Sequence, residues 1–248
     1  MGFVRFAAIV LAVLAAGLPA HAQTQLRCGP FNPTAAAPAP RVDFWAVKSF
    51  ERINEQVKTV PYRVLFFGDS ITERWQMPLW DAKPVWDANM PKRGVLNAGV
   101  SGDRTEHLRW RLDHGNLDGP APKGVILMIG TNDLASGRPP AEAAEGIRAT
   151  LSRLRDQLPT SRILLLGLTP RGATPDDPLR QAVGVVNGMI QTCADGSIAY
   201  ADVGSGLLDA KGGLSRELSP DLLHFSGAGY ARIVPKLDPL IDRLFGSP

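Results

Sequence analysis

Two kinds of apolar segment alternate along this chain. Short runs at residues 63–67, 95–97, 125–129, 163–168 and 198–203 are apolar, most of them without period-two alternation, as expected of parallel strands buried on both faces. Between and after them, residues 105–113, 141–158, 179–193 and 227–245 read as helices. Another helix precedes the first strand, where Phe44, Val47, Phe50, Ile53 and Val57 recur at three- and four-residue steps. Five strand–helix units in succession predict a doubly wound α/β sheet with parallel strands. In such sheets ligands bind beyond the carboxyl ends of the strands, so the residues just after each run are the first candidates for chemistry.

The amino terminus follows a different pattern. Arg5 precedes an apolar run over residues 6–18 that ends at Pro19, Ala20, His21 and Ala22. That run is too short to cross a bilayer, and Ala20-His21-Ala22 has the small-x-small form of a signal-peptidase site. Residues 1–22 are therefore expected to be a secretory signal, with the mature chain beginning at Gln23 and no later span. Residues 23–41 form a Pro- and Ala-rich leader, and 42–248 one folded domain without an internal repeat or linker. Export carries Cys28 and Cys193 into an oxidising compartment, where they are expected to pair. Two buried thiols are the alternative.

Charge narrows the function. The 27 Lys and Arg against 24 Asp and Glu leave a net charge of +3, with no basic run, so nucleic-acid binding has no electrostatic basis. Neither cysteine belongs to a metal or redox motif, and no metal or organic cofactor is implied.

The chemistry-bearing residues lie at the strand ends. Gly68-Asp69-Ser70-Ile71-Thr72 places a hydroxyl after the first strand, but a serine hydroxyl is a weak nucleophile without a base. His21 leaves with the signal, and His107 and His114 sit on or beside a helix, where solvation or capping is the expected role. His224 follows Asp221 at a three-residue offset before the last helix, so Asp221 can hold one ring nitrogen while the other faces Ser70. Capping of the last helix by this pair is the alternative. After the second strand, Gly102 offers an unobstructed backbone N–H, and after the third, Asn132 offers an amide. Both suit an oxyanion, although each segment also reads as a turn.

Taken together, GDSIT at 68–72, NAGVSGD at 97–103, GTND at 130–133 and DLLH at 221–224 resemble the SGNH or GDSL hydrolases. The resemblance covers about residues 62–244. It is strongest toward platelet-activating-factor acetylhydrolase catalytic subunits and bacterial carbohydrate acetylesterases, through LRWRL at 108–112 and LTPRG at 168–172. It implies a flavodoxin-like three-layer sandwich, with a five-stranded parallel sheet and helices on both faces. It also implies Ser70 as nucleophile, His224 as general base, Asp221 as its orienting partner, and the Ser70 N–H, Gly102 and Asn132 as the oxyanion hole. Ser101 departs from the family, whose closest members often carry Gly there. The implied activity is an exported serine esterase acting on short, acetyl esters, with a carbohydrate or other small-molecule ester as substrate. A lysophospholipase or thioesterase, and a catalytically idle binding module, are the alternatives.

Trp75, Trp80 and Trp86 lie in an expected loop and can stack on sugar rings, with core packing the favoured reading. Arg104 and Arg171 flank strand ends and can meet a polar leaving group, with solvated surface charge the favoured reading.

Overall fold

In the computed structural model, residues 26–29 and 36–247 are described; the expected signal segment lies outside them. The strands are β1 (Val64–Gly68), β2 (Val95–Gly99), β3 (Gly124–Met128), β4 (Arg162–Leu166) and β5 (Ile198–Ala201). They form one parallel sheet in the order β2-β1-β3-β4-β5. The helices are α1 (Phe44–Thr59), α2 (Ser70–Trp75), α3 (Ala82–Asn89), α4 (Thr105–Asp113), α5 (Thr131–Ala135), α6 (Pro140–Gln157), α7 (Pro178–Ile190) and α8 (Gly227–Phe245).

The unbroken apolar runs are explained by two cores, one on each face of the sheet. Leu65, Phe67, Val125, Leu127, Ile163 and Leu165 point into the first, beneath Ile53, Leu108, Ile147, Leu151, Val183 and Val186 of α1, α4, α6 and α7. Val64, Phe66, Ile126, Met128, Leu164 and Leu166 point into the second, beneath Ile71, Trp75, Trp86, Tyr230, Ile233 and Leu237 of α2, α3 and α8. Successive strand residues alternate between the cores, so no position on β1 or β3 faces water and period-two alternation disappears.

All five expected strands form within a few residues of their expected limits. Three short helices, α2, α3 and α5, were not anticipated, because five to eight residues hold too little periodicity to stand out. Trp75 and Trp86 lie on α2 and α3 rather than in a loop. They pack in the second core with Tyr230, which stacks on Trp75 at 4.5 Å between ring centroids. Trp80 is half-buried, with a left-handed backbone at φ 52°.

The leader does not simply trail away from the domain. Leu26 is buried, Cys28 is bonded to Cys193, and Ala39 N–H donates to the Glu106 carbonyl at 3.3 Å on α4. Asp43 then caps α1 by accepting from the Ala46 N–H at 3.1 Å. Among the described residues no helix is long and apolar enough to cross a membrane.

Candidate active site

β1 ends at Gly68, and the chain turns at once into α2, whose first residue is Ser70. Asp69 caps that helix by accepting from the Ile71 N–H at 2.9 Å. Gly68 is required less for a turn than for close approach, since a Cβ there would fall 2.1 Å from Thr72 Oγ1 and 2.8 Å from the Met128 carbonyl oxygen. Ser70 is therefore held at the carboxyl edge of the sheet by a buried cap and a tightly packed strand end.

His224 and Asp221 reach Ser70 from the loop before α8. His224 Nε2 lies 2.8 Å from Ser70 Oγ, and His224 Nδ1 lies 2.6 Å from Asp221 Oδ2. Asp221 Oδ1 accepts the backbone N–H groups of Leu223 and His224 at 3.0 and 2.8 Å, which fixes the carboxylate relative to the ring. Between them Leu222 adopts φ 62°, an uncommon conformation for a branched residue. Its carbonyl accepts the Gly172 N–H at 2.8 Å, and Ser219 Oγ donates to the His224 carbonyl at 2.9 Å. The cap of α8 is Ser226, so the Asp221–His224 pair does not serve as that cap.

Charge around the pair is asymmetric. Burial pushes the His224 imidazole below its usual pKa; the Asp221 hydrogen bond opposes this, and the Arg74 and Arg171 charges reinforce it. Arg74 Nη1 stands 3.1 Å from His224 Nδ1 and 4.0 Å from Asp221 Oδ2. With Nδ1 protonated toward Asp221, that approach brings two donors together, so it acts as charge rather than as a hydrogen bond. Burial raises the Asp221 carboxyl, but hydrogen bonds from His224 and Leu223 outweigh it and hold the group below its usual range. Asp69, fully enclosed, is pushed up to about 7 by burial, with Asp103 and Asp133 nearby adding to the rise.

The three groups expected to receive an oxyanion lie on the segments that follow β1, β2 and β3. The Gly102 and Ser70 N–H groups bond to no described residue. Asn132 Nδ2 donates to the Asp103 carbonyl at 2.9 Å, which orients the amide while leaving its second hydrogen free. The structure thus brings Ser70, His224 and Asp221 together, with Gly102 in the turn after β2 and Asn132 in the first turn of α5.

Other groups at the site escaped the sequence reading. Glu73, buried on α2, accepts from Ser49 Oγ at 2.6 Å and from the Ser101 N–H at 2.8 Å, joining α1 to the Gly102 loop. Arg171 is not a solvated surface charge: half-buried, it donates to the Thr131 carbonyl and hydroxyl at 3.1 and 3.0 Å. Arg104 pairs with Glu106 at 2.8 Å. His107 caps rather than solvates, its Nδ1 accepting the Arg104 N–H at 3.1 Å, and burial lowers its pKa to about 4 against the pull of Glu106. His114 is exposed and stacks on Trp110. Beside the site, Trp45, Ser49, Arg52, Arg74, Met77 and Leu79 line a groove of about 490 Å³, and Trp45 is 78% exposed. No short motif marks Trp45 or Glu73, because their roles depend on α1 crossing α2.

Similarity to known proteins makes the chain an ester hydrolase. The model of the GDSL-like Lipase/Acylhydrolase family matches residues 66–232, and the chain belongs to that family. The platelet-activating factor acetylhydrolase IB subunit alpha2 of Homo sapiens is 33% identical over 183 residues, 73% of this chain and 76% of that one. The human alpha1 subunit is 32% identical over the same shares. Among solved structures, a GDSL-like lipase from Bacteroides thetaiotaomicron matches with a TM-score of 0.64 at 20% identity, covering 81% of this chain and 99% of its own. A catalytic mutant of an acetylxylan esterase from Geobacillus stearothermophilus matches with a TM-score of 0.57 at 20% identity, covering 78% and 97%. Both structures share the fold.

Proposed function

We propose that this chain is an exported serine esterase that removes acetyl groups from carbohydrate. The observation that carries the reading is the continuous relay from Asp221 through His224 to Ser70, at 2.6 and 2.8 Å. Ser70 Oγ attacks the ester carbonyl as its proton passes to His224 Nε2, and Asp221 holds the proton on Nδ1 and stabilises the imidazolium. The Ser70 and Gly102 N–H groups and the free Asn132 hydrogen receive the oxyanion. His224 then protonates the departing alkoxide, leaving an acetyl group on Ser70. Water, deprotonated by the same nitrogen, releases acetate and restores the hydroxyl.

Acetyl as the acyl group is supported by relatives named acetylhydrolases at 33% identity. Carbohydrate as the alcohol part is supported by the groove beside the site. There the exposed Trp45 indole offers a flat apolar face, while Ser49, Arg52 and Arg74 offer polar contacts. Export is supported by the signal pattern at the amino terminus and by the Cys28–Cys193 bond.

Hydrolysis of 4-nitrophenyl acetate by the wild-type mature protein and by Ser70→Ala tests the enzymatic part, and activity retained by the variant would refute it. Acetylated xylo-oligosaccharides test the rest. Trp45→Ala is expected to lower kcat/KM on them about tenfold while leaving 4-nitrophenyl acetate turnover unchanged. Equal losses on both substrates would remove Trp45 from sugar recognition.

A further inference from the structure

We infer that Arg41, in the arm preceding the family domain, is a positioning residue that sets the orientation of the Gly102 N–H. This rests on the reading of Gly102 as an oxyanion donor. Arg41 lies outside the segment matched by the family model, residues 66–232.

Gly102 belongs to a tight turn. Asp103 N–H donates to the Val100 carbonyl at 3.1 Å, so Ser101 and Gly102 are its central residues. Gly102 has φ 81°, while Ser101 is not among the residues with positive φ. That combination defines a type II turn. Types I and II differ chiefly by a rotation of roughly 180° of the central peptide, here the one joining Ser101 to Gly102. The peptide carries the Ser101 carbonyl on one side and the Gly102 N–H on the other, because a trans peptide holds the two antiparallel. Flipping this peptide would therefore remove the donor from the oxyanion without breaking the turn.

Arg41 grips that peptide. Its Nη1 donates to the Ser101 carbonyl at 3.2 Å, and a Cβ at Gly102 would fall 2.9 Å from the same nitrogen. Bonding the carbonyl on the Arg41 side directs the Gly102 N–H to the other side, where it bonds to no described residue. The cationic donor also polarises the peptide and strengthens the N–H as a donor.

The guanidinium is itself fixed. Nε and Nη2 contact Asp43 Oδ2 at 2.7 and 2.6 Å, and Nη1 lies 3.6 Å from the fully buried Asp103 carboxylate. Asp43 caps α1, and the arm is bound upstream by the Ala39–Glu106 backbone bond. Glu73 holds the other end of Ser101 through its N–H, so residue 101 is clamped at both backbone groups.

The test uses the full mature chain and three measurements on Arg41→Ala and Arg41→Lys: steady-state hydrolysis of 4-nitrophenyl acetate, inhibition by phenylboronic acid, and thermal unfolding. Phenylboronic acid adds to the serine and places a boronate oxygen in the oxyanion position. Arg41→Ala is expected to lower kcat about 10- to 100-fold with KM within about twofold. The inhibition constant should rise by a similar factor. Arg41→Lys, which keeps a cationic donor, should recover most of both losses. Unchanged kcat, a change mainly in KM, or a fall in kcat without weaker boronate binding would each overturn the inference, as would a lysine variant no better than alanine in a folded protein. Asn132→Ala, assayed in parallel, separates the two levels: if it keeps full turnover, the oxyanion reading fails, whereas its loss beside an unaffected Arg41→Ala defeats only the role of Arg41.

Discussion

Arg74 Nη1 stands 3.1 Å from His224 Nδ1, on the side of the ring that faces Asp221. A fixed positive charge there opposes formation of the imidazolium, adding to the effect of burial, and together they outweigh the favourable Asp221 bond. Sequence alone suggests a histidine near its ordinary pKa of about 6.5, higher if Asp221 dominates; the surroundings lower it instead. Since only neutral imidazole accepts the serine proton, the acid limb of kcat/KM is expected below pH 6.5. Arg74→Leu removes a charge that destabilises the imidazolium, so its limb should move to higher pH. A wild-type midpoint at or above 6.5, or a limb unmoved in the variant, would contradict this.

Ser70→Ala and His224→Ala should each abolish nearly all turnover with unchanged circular dichroism, because the members of such a relay act as a unit. Asn132→Ala should lose about 10²- to 10³-fold in kcat with little effect on KM. Loss confined to KM would make Asn132 a substrate-binding residue instead.

The Cys28–Cys193 bond joins the arm to the short helical turn after α7 across a sequence separation of 165. A loop that long gives a chain-entropy contribution of about 4 to 5 kcal/mol as an upper value, so Cys28→Ser should lower the unfolding free energy by up to that amount. Urea unfolding of the oxidised wild type and the variant measures it. Two titratable thiols per denatured, unreduced chain would show that the bond does not form.

Glycine-to-alanine changes in helices should have opposite signs at two sites. Alanine is favoured over glycine in a helix by about 1 kcal/mol. Gly184 on α7 has open space around it, so Gly184→Ala should stabilise. Gly146 on α6 faces Thr105, whose Oγ1 would lie 2.1 Å from the new Cβ. That hydroxyl cannot swing away without leaving Asp133, to which it donates at 2.7 Å. Gly146→Ala should therefore destabilise by about 1 to 3 kcal/mol, and calorimetry on the pair checks both signs.

Much of this protein is written locally. A strand buried on both faces must be apolar throughout, so the five runs declared themselves. The order of serine, glycine, asparagine and histidine after successive elements placed them at one edge of a parallel sheet. The motifs at 68–72 and 221–224 carry their own geometry, since a cap at Asp69 and backbone bonds to Asp221 involve residues two or three apart.

Tertiary structure decided what depends on elements meeting across long sequence distances. Ser70 and His224 are 154 residues apart, and their 2.8 Å contact exists only because β1 lies inside the sheet, between β2 and β3, and the loop before α8 returns to its carboxyl edge. Arg171 changed from an expected surface charge to a half-buried partner of Thr131, because the loop after β4 folds over α5. Arg41 and Glu73 meet Ser101 from an arm and a helix that no local pattern connects to it. A sequence records which side chains are available and how neighbouring residues turn. Desolvation, the field of distant charges and the orientation of a single peptide arise only when the remote segments pack.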